Sequence, residues 1–204
     1  MRIISFYTDK DYEKCIQKLK KSADKFGYEI NVGYFPNADT WQIAIQKKVE
    51  FILQQYEFGN GILLYLDADT TILSKLETLK EFICEHDISV RKRDLDDKYN
   101  CGVMGFGLNR KKIIPFLQEW NNITQRKGLK YQTVDQRPFE QALQKYKKIK
   151  VGNLPAIYNF LNSDMLHNYT MTDAIIHHYK FSKNGEKARK WRKFLIWRRQ
   201  NENE

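Results

Sequence analysis

The sequence is that of a folded protein of moderate size with a strong positive charge. It has 204 residues, of which 42% are hydrophobic and 14% aromatic, and its formal net charge is +10. Such a chain is long enough for one domain with a sizeable core and too apolar to be intrinsically disordered. It has no apolar run of about 20 residues, the length that crosses a bilayer, which excludes a transmembrane helix. Much of the charge is local, because residues 183–199 hold eight basic side chains and one acidic one.

Strands and helices alternate in the first half of the chain. The hydrophobic pattern predicts strands at 2–7, 28–35, 61–66 and 87–92, and helices at 10–26, 41–56 and 74–84. We expect the N-terminal segment to be the first strand and not a signal peptide, since its apolar run is short. Residues 61–66, GILLYL, are uniformly apolar, which is typical of a strand buried on both faces of a parallel sheet. This alternation predicts an α/β fold.

The second half is less regular but contains further elements. We expect strands at 101–108, 148–152 and 173–179, and helices at 111–126, 135–146 and 186–199. Three widely spaced cysteines lack the spacing of metal ligands, so we expect reduced thiols in a cytoplasmic protein.

Two carboxylates follow the buried strand in the segment LYLDADTT. Asp67 and Asp69 are one residue apart, so their side chains point the same way on an extended chain. Ligands of open α/β sheets bind beyond the carboxyl ends of the strands. A hard divalent cation, Mn²⁺ or Mg²⁺, would stabilise two like charges held together there. The alternative is an acidic turn without a ligand, since aspartate is common in turns.

The segment LLYLDADTTI resembles motifs of two enzyme families. It fits the DxDx[TV] signature of haloacid-dehalogenase-like phosphatases, in which Asp67 would be the nucleophile. It also resembles the DxD motif of GT-A-fold nucleotide-sugar glycosyltransferases, which implies that Asp67, Ala68 and Asp69 lie against a metal-bound diphosphate. The phosphatase resemblance is weaker, because more than 60 residues precede the motif and the chain has no Gly-Asp dipeptide.

Segments on either side of the motif resemble the same glycosyltransferase superfamily, in the expected order. FYTDKDY resembles its nucleotide-binding loop, which implies that the nucleotide contacts are Tyr7, Thr8, Asp9 and Tyr12. IQKKVEF resembles the basic helix before the DxD strand, which implies a donor contact from Lys47 or Lys48, with Lys48 the better match. A solvated helix face is the alternative for these lysines.

Three later segments extend the resemblance to about residue 183. YNCGVMGFGLN implies that Asn100 binds the donor sugar and that Gly102 lets the backbone approach it. VDQRPFEQAL resembles the Asp-Gln motif of retaining, family 8-like enzymes, which implies that Asp135 and Gln136 are catalytic. For Asn100 and Asp135, a turn or helix-cap role is the alternative.

The segment AIIHHYK resembles the late strand that delivers a histidine to the metal. His177 and His178 are adjacent and face opposite sides of a strand, so only one of them can be a ligand, and the pattern favours His178. A core histidine beside an exposed one is the alternative. The resemblance also implies that Lys183 lies near the phosphates.

The resemblance implies an α/β fold with a central mixed, mostly parallel sheet. Residues 1–183 would form a single GT-A (Rossmann-like) domain and residues 184–204 a basic aromatic tail. The implied activity is metal-dependent hexosyl transfer from a UDP-sugar to a glycan, glycolipid or protein acceptor, with Mn²⁺ or Mg²⁺ stabilising the leaving diphosphate. An Asp135–Gln136 pair at the anomeric carbon implies retention, whereas Asp135 acting as a base on the acceptor would give inversion.

The tail combines basic and aromatic side chains in KARKWRKFLIWRRQ. This composition suits an anionic membrane surface and predicts peripheral association through residues 186–200. A helix packed on the domain is the alternative. The sequence contains no recognisable nucleic-acid-binding module, so we expect no nucleic-acid partner, and a non-catalytic nucleotide- or nucleic-acid-binding protein is the non-enzyme alternative.

Overall fold

Helices cover both faces of a central six-stranded sheet. The structure is a computed structural model that describes residues 1–36, 41–93, 97–126, 136–162, 164 and 170–179. Its strands are Arg2–Tyr7 (β1), Ile30–Tyr34 (β2), Leu63–Leu66 (β3), Thr70–Ile72 (β4), Ile88–Lys92 (β5), Tyr99–Phe106 (β6), Val151–Asn153 (β7), Phe160–Leu161 (β8) and Ile176–His178 (β9). Its α-helices are Lys10–Asp24 (α1), Trp41–Phe58 (α2), Glu77–Cys84 (α3), Arg110–Gln125 (α4) and Gln136–Lys145 (α5).

The central sheet is mixed and mostly parallel, as the resemblance to GT-A enzymes implies. Its strand order is β2-β1-β3-β6-β5-β7. Strand β6 runs antiparallel to both of its neighbours, and the other pairings in this sheet are parallel. The parallel strands β1, β2 and β3 therefore end at the same edge, where α/β folds bind their ligands.

Two hydrophobic clusters, one on each face of the sheet, form the core. Helices α2, α4 and α5 pack on one face and α1 and α3 on the other. Strand β3 contributes to both clusters, since Leu63 and Tyr65 belong to the first and Leu64 and Leu66 to the second. All four of these side chains are fully buried. The prediction that the GILLYL segment forms a strand buried on both faces is confirmed.

A second, smaller sheet contains two strands that the sequence analysis did not predict. Its order is β4-β9-β8, with β4 antiparallel and β8 parallel to β9. Strands β4 and β8 have three and two residues, too few for a hydrophobic period to be recognised. The other predicted strands and helices outside the tail are present, with ends shifted by a few residues; the tail helix lies outside the described residues.

The carboxyl end of α2 is held by one side chain from α4. The Arg110 guanidinium donates to the backbone carbonyls of Tyr56, Glu57 and Gly59, each at 2.7 Å. The last carbonyls of a helix have no partner within the helix, and a cation also interacts favourably with the negative end of the helix dipole. This contact fixes the helix that carries Lys48 against the core.

We expect Arg110→Met to lower the free energy of unfolding by about 2 kcal/mol, because three carbonyls lose a charged donor. Chemical denaturation monitored by circular dichroism would measure this loss. The matched control is Lys111→Met, which removes a neighbouring exposed cation and should change stability by less than about 0.5 kcal/mol. Equal effects of the two substitutions would show that Arg110 does not cap α2.

Candidate functional site

The two aspartates form the turn that connects the central sheet to the small sheet. Strand β3 ends at Leu66 and β4 begins at Thr70. The Asp67 carbonyl accepts hydrogen bonds from the Thr70 hydroxyl at 2.7 Å and from the Thr70 backbone N–H at 3.1 Å. The Asp69 carbonyl accepts one from the Tyr179 N–H at 3.1 Å. Backbone contacts at both ends therefore fix the direction in which the carboxylates point.

His178 completes a cluster with the two aspartates. Strand β9 pairs with β4 so that His178 lies opposite Thr70. Its Nε2 atom is 3.2 Å from Asp69 Oδ1 and 3.8 Å from Asp67 Oδ2. His177 points to the other side of the strand, where its Nε2 is 2.9 Å from Asn162 Oδ1. Of the two histidines proposed as ligands, the structure places only His178 with the aspartates.

Gly102 makes room for this cluster. Its carbonyl on β6 accepts a hydrogen bond from the Asp67 N–H at 2.8 Å. A Cβ atom on Gly102 would lie 2.3 Å from Cε1 and 2.4 Å from Nδ1 of His178, and 3.0 Å from Asp67 Oδ2. These separations are too short for any other residue to fit unless the imidazole moves. The close approach that the structure shows at Gly102 is that of His178, and the predicted approach of the donor sugar remains a prediction.

Lys48 and Tyr65 contact the first aspartate from the side opposite His178. The Lys48 ammonium donates to Asp67 Oδ1 at 3.0 Å and to the Cys101 carbonyl at 2.8 Å. The Tyr65 hydroxyl donates to the same Oδ1 at 2.6 Å. Lys48 is 5% exposed and Tyr65 fully buried. The sequence analysis assigned Lys48 to the donor and treated Tyr65 only as part of an apolar strand.

Asn100 is buried beside Gly102. Its Oδ1 accepts a hydrogen bond from the Gly102 N–H at 2.9 Å, and its carbonyl accepts one from Asn159 Nδ2 at 3.2 Å. The side-chain oxygen therefore supports the backbone of β6. The predicted contact between Asn100 and the donor sugar remains a prediction.

The residues assigned to the nucleotide lie at the end of β1, in the loop that follows it and in the first turn of α1. Asp9 is the N-cap of α1, and its Oδ1 accepts from the backbone N–H groups of Asp11 at 3.0 Å and Tyr12 at 3.1 Å. The Thr8 hydroxyl donates to Asp9 Oδ2 at 3.3 Å. Burial raises the pKa of Tyr12, and the charges of Asp69 and Asp67 raise it further, so its phenol stays protonated.

Two stacked tyrosine rings, one half-buried and one exposed, lie at the edge of the sheet next to this segment. Tyr7 at the end of β1 stacks on Tyr34 at the end of β2, with ring centroids 4.6 Å apart and an interplanar angle of 22°. Tyr34 is 55% exposed. The pair lies at the carboxyl edge of the parallel strands, the same edge from which the Asp67–Asp69 turn extends. Tyr34 was not among the predicted site residues.

Of the predicted catalytic pair and Lys183, the structure describes only Gln136. Gln136 is the first residue of α5, which packs against α4 and β6. Asp135 and Lys183 lie outside the described residues, as does the basic tail. The proposed roles of Asp135, Gln136 and Lys183 stay predictions.

The donor set of the cluster fits a divalent cation. The ligand atoms of Asp67, Asp69 and His178 lie within 4.8 Å of one another. Two ligands about 2.1 Å from one ion are at most about 4.2 Å apart, and both histidine–aspartate separations are shorter than this. Two hard carboxylates with one imidazole suit Mn²⁺ and related ions. The Nε2 atom of His178 faces both aspartates, whereas its Nδ1 atom is buried and makes no hydrogen bond in the described part of the protein.

Comparisons with known proteins give structural but not sequence relatives. The sequence matches no protein-family model and no curated protein. The structure is similar to a glycosyltransferase involved in the glycosylation of the major capsid of PBCV-1, with a TM-score of 0.66, 14% identity, and coverage of 91% of this chain and 95% of the other. It is also similar to the glycosyltransferase GlyE of Streptococcus pneumoniae TIGR4, with a TM-score of 0.63, 18% identity, and coverage of 90% of this chain and 56% of GlyE.

The chain has the GT-A fold. At 14% and 18% identity the structural similarity shows the fold alone, so the chemistry of the site must be argued from its own residues. In this GT-A fold the Asp67–Asp69 turn lies at the carboxyl edge of the central sheet, the region where α/β proteins bind ligands. Within the described residues, no helix has the length and apolar character that crossing a bilayer requires.

Proposed function

We propose that the protein is a metal-dependent glycosyltransferase that takes a hexose from a UDP-sugar. The observation that carries the proposal is the convergence of Asp67, Asp69 and His178 at the ligand-binding edge of a GT-A fold. Asp67, Asp69 and His178 would hold the cation. Mn²⁺ is favoured over Mg²⁺, because Mg²⁺ prefers oxygen ligands alone. When bound, the cation would supply Lewis-acid stabilisation of the diphosphate leaving group.

The neighbouring residues suit the two ends of the donor. Tyr7, Thr8, Asp9 and Tyr12 would line the nucleotide end, and the protonated Tyr12 phenol can donate a hydrogen bond there. Ala68, buried between the two aspartates, offers little bulk against a diphosphate. Asn100 and Gly102 would lie toward the sugar, and Lys183 toward the phosphates.

The chemical step would fall to the Asp135–Gln136 pair. Asp135 and Gln136 would face the anomeric carbon, orient the sugar and stabilise the positive charge that develops as the glycosidic bond breaks. We propose retention of configuration on the resemblance to family 8-like enzymes. The acceptor class is a glycan, glycolipid or protein. Residues 186–200 would bring the enzyme to an anionic membrane surface on the cytoplasmic side.

The Asp69→Asn variant tests this function, because it removes one charged ligand and keeps the side-chain volume. We expect Mn²⁺-dependent hydrolysis or transfer of the UDP-sugar to fall more than about 100-fold. The rise in melting temperature that Mn²⁺ and UDP cause together should also disappear. Asp24→Asn, which changes an exposed carboxylate on α1, should keep both properties. Full turnover in Asp69→Asn would refute the proposed function.

A panel of nucleotide sugars, each with and without Mn²⁺, would identify the donor in the same melting assay. We expect uridine nucleotides to stabilise the protein only when Mn²⁺ is present, since the cation would bridge protein and diphosphate. Stabilisation by another base, or by UDP-sugar without the ion, would require a different donor or a metal-free mechanism.

A further inference from the structure

The first aspartate of the cluster is held by two buried side chains. We propose that Lys48 and Tyr65 are positioning residues of the metal site, which occupy Oδ1 of Asp67 and leave Oδ2 as the oxygen presented to a divalent cation. The inference rests on the proposed function, because it concerns the same site. It replaces the expectation from sequence that Lys48 contacts the donor directly.

The two oxygens of Asp67 have different surroundings. Oδ1 accepts hydrogen bonds from the Tyr65 hydroxyl at 2.6 Å and the Lys48 ammonium at 3.0 Å. Oδ2 faces His178, whose Nε2 is 3.8 Å away. An oxygen with two short donors is a poor ligand for a cation, whereas Oδ2 points at the other ligands. Asp67 would therefore bind the ion through a single oxygen.

Both donors are rigid, which is what a positioning role requires. The Lys48 ammonium lies 4.8 Å from the centre of the Tyr65 ring and also donates to the Cys101 carbonyl at 2.8 Å. Tyr65 lies on β3, two residues before Asp67, and its ring is fully buried in the core. Substitution of a residue that orients a ligand of a metal typically lowers the metal affinity by about 10–100-fold.

Lys48 is charged and Tyr65 is neutral, so we expect their removal to change the affinity for the cation in opposite directions. Tyr65→Phe deletes one neutral donor and lets the carboxylate rotate, which weakens binding. Lys48→Met also deletes a donor, but it removes a positive charge that competes with the cation for Asp67. Because the Lys48 ammonium is only 3.0 Å from Asp67 Oδ1, we expect the charge effect to outweigh the lost donor and Mn²⁺ binding to tighten.

The experiment titrates the purified protein with Mn²⁺ alone and follows the free-ion signal by electron paramagnetic resonance. We expect Tyr65→Phe to weaken Mn²⁺ binding about tenfold, because the carboxylate loses an orienting donor. We expect Lys48→Met to strengthen it by at least about tenfold, because a repelling positive charge is removed. Tyr56→Phe is the matched control for the tyrosine, since it removes an equally buried hydroxyl that bonds to the Gly107 carbonyl at 2.7 Å. Lys47→Met is the control for the lysine, since Lys47 is paired with Glu50 on the same helix.

Each control variant should bind Mn²⁺ within about twofold of the wild type, and melting without metal would verify that every variant is folded. Tyr65→Phe binding as tightly as Tyr56→Phe, or Lys48→Met binding no more tightly than Lys47→Met, would overturn the inference and leave the proposed function in place. Failure of the wild type to bind Mn²⁺ would instead overturn the proposed function, and this inference with it.

Discussion

The Gly102→Ala variant is expected to lose Mn²⁺ binding and to turn over nucleotide sugars about 100-fold more slowly. The added Cβ would lie 2.3 Å from Cε1 of His178 and 3.0 Å from Asp67 Oδ2, well inside ordinary contact distance. His178 is 6% exposed and is held on β9 by its pairing with β4, so the imidazole cannot move aside without leaving the aspartates. A displacement of about 1 Å in a catalytic site can cost 10²-fold in rate. Titration with Mn²⁺ and a steady-state assay would measure both effects.

Gly105→Ala separates this effect from a general loss of packing. Gly105 lies on the same strand, and a Cβ there would meet Ile83 Cγ1 at 2.4 Å, in the core and away from the metal ligands. We expect this variant to be destabilised and to keep wild-type affinity for Mn²⁺. If Gly102→Ala bound Mn²⁺ as the wild type does, the contact between Gly102 and His178 would have no part in forming the site.

The fold could be predicted from sequence where burial leaves a strong pattern. Residues 63–66 are buried on both sides, so their apolar run was recognisable, and the carboxylates that follow it were conspicuous. Strands β4 and β8 were missed, because such short elements exist only through their pairing with β9. Pairing partners far apart in the chain leave no local signal.

The site was only partly predictable from sequence, because its geometry also depends on contacts between distant parts of the chain. Alternation along a strand established that His177 and His178 point in opposite directions, but the β4–β9 register decides which one reaches the aspartates. The resemblance favoured Lys48 over Lys47, but the burial of Lys48 depends on how α2 packs and leaves no signal in the sequence. Tyr65 carried one usable signal: a tyrosine in a buried run needs a partner for its hydroxyl, and the nearest acceptor in sequence is Asp67.

Residues from distant parts of the chain support the Gly102 backbone, which borders the cluster of Asp67, Asp69 and His178. The Gly102 backbone, against which His178 packs, is held by Asn100, and Asn100 is held by Asn159. The Asn159 carbonyl in turn accepts from Arg91 Nη1 at 2.8 Å. This chain of contacts connects β6 to β5 and to the segment before β8. We expect substitution of Arg91, which carries a buried charge, to lower the stability more than substitution of the other residues in this chain of contacts.

Substitution of Arg91 by methionine is therefore expected to be among the most destabilising changes in the protein. Arg91 forms a two-pronged ion pair with Asp164, with Nη2 donating to Oδ1 at 2.9 Å and Nη1 to Oδ2. The two side chains are only 4% and 5% exposed. Arg91→Met would leave the Asp164 carboxylate buried without its counter-charge, which costs about 3–5 kcal/mol. Urea denaturation at neutral pH would measure the loss.

The neighbouring residue provides the control, because Lys92 pairs with Asp97 at 2.6 Å on the surface, with side chains 37% and 84% exposed. Lys92→Met should cost less than about 1 kcal/mol, since water replaces the lost partner. The double variant Arg91→Met/Asp164→Leu should be more stable than Arg91→Met alone, because it removes the stranded charge. If Arg91→Met were no more destabilising than Lys92→Met, the carboxylate of Asp164 would have to reach solvent or another cation once its partner is gone.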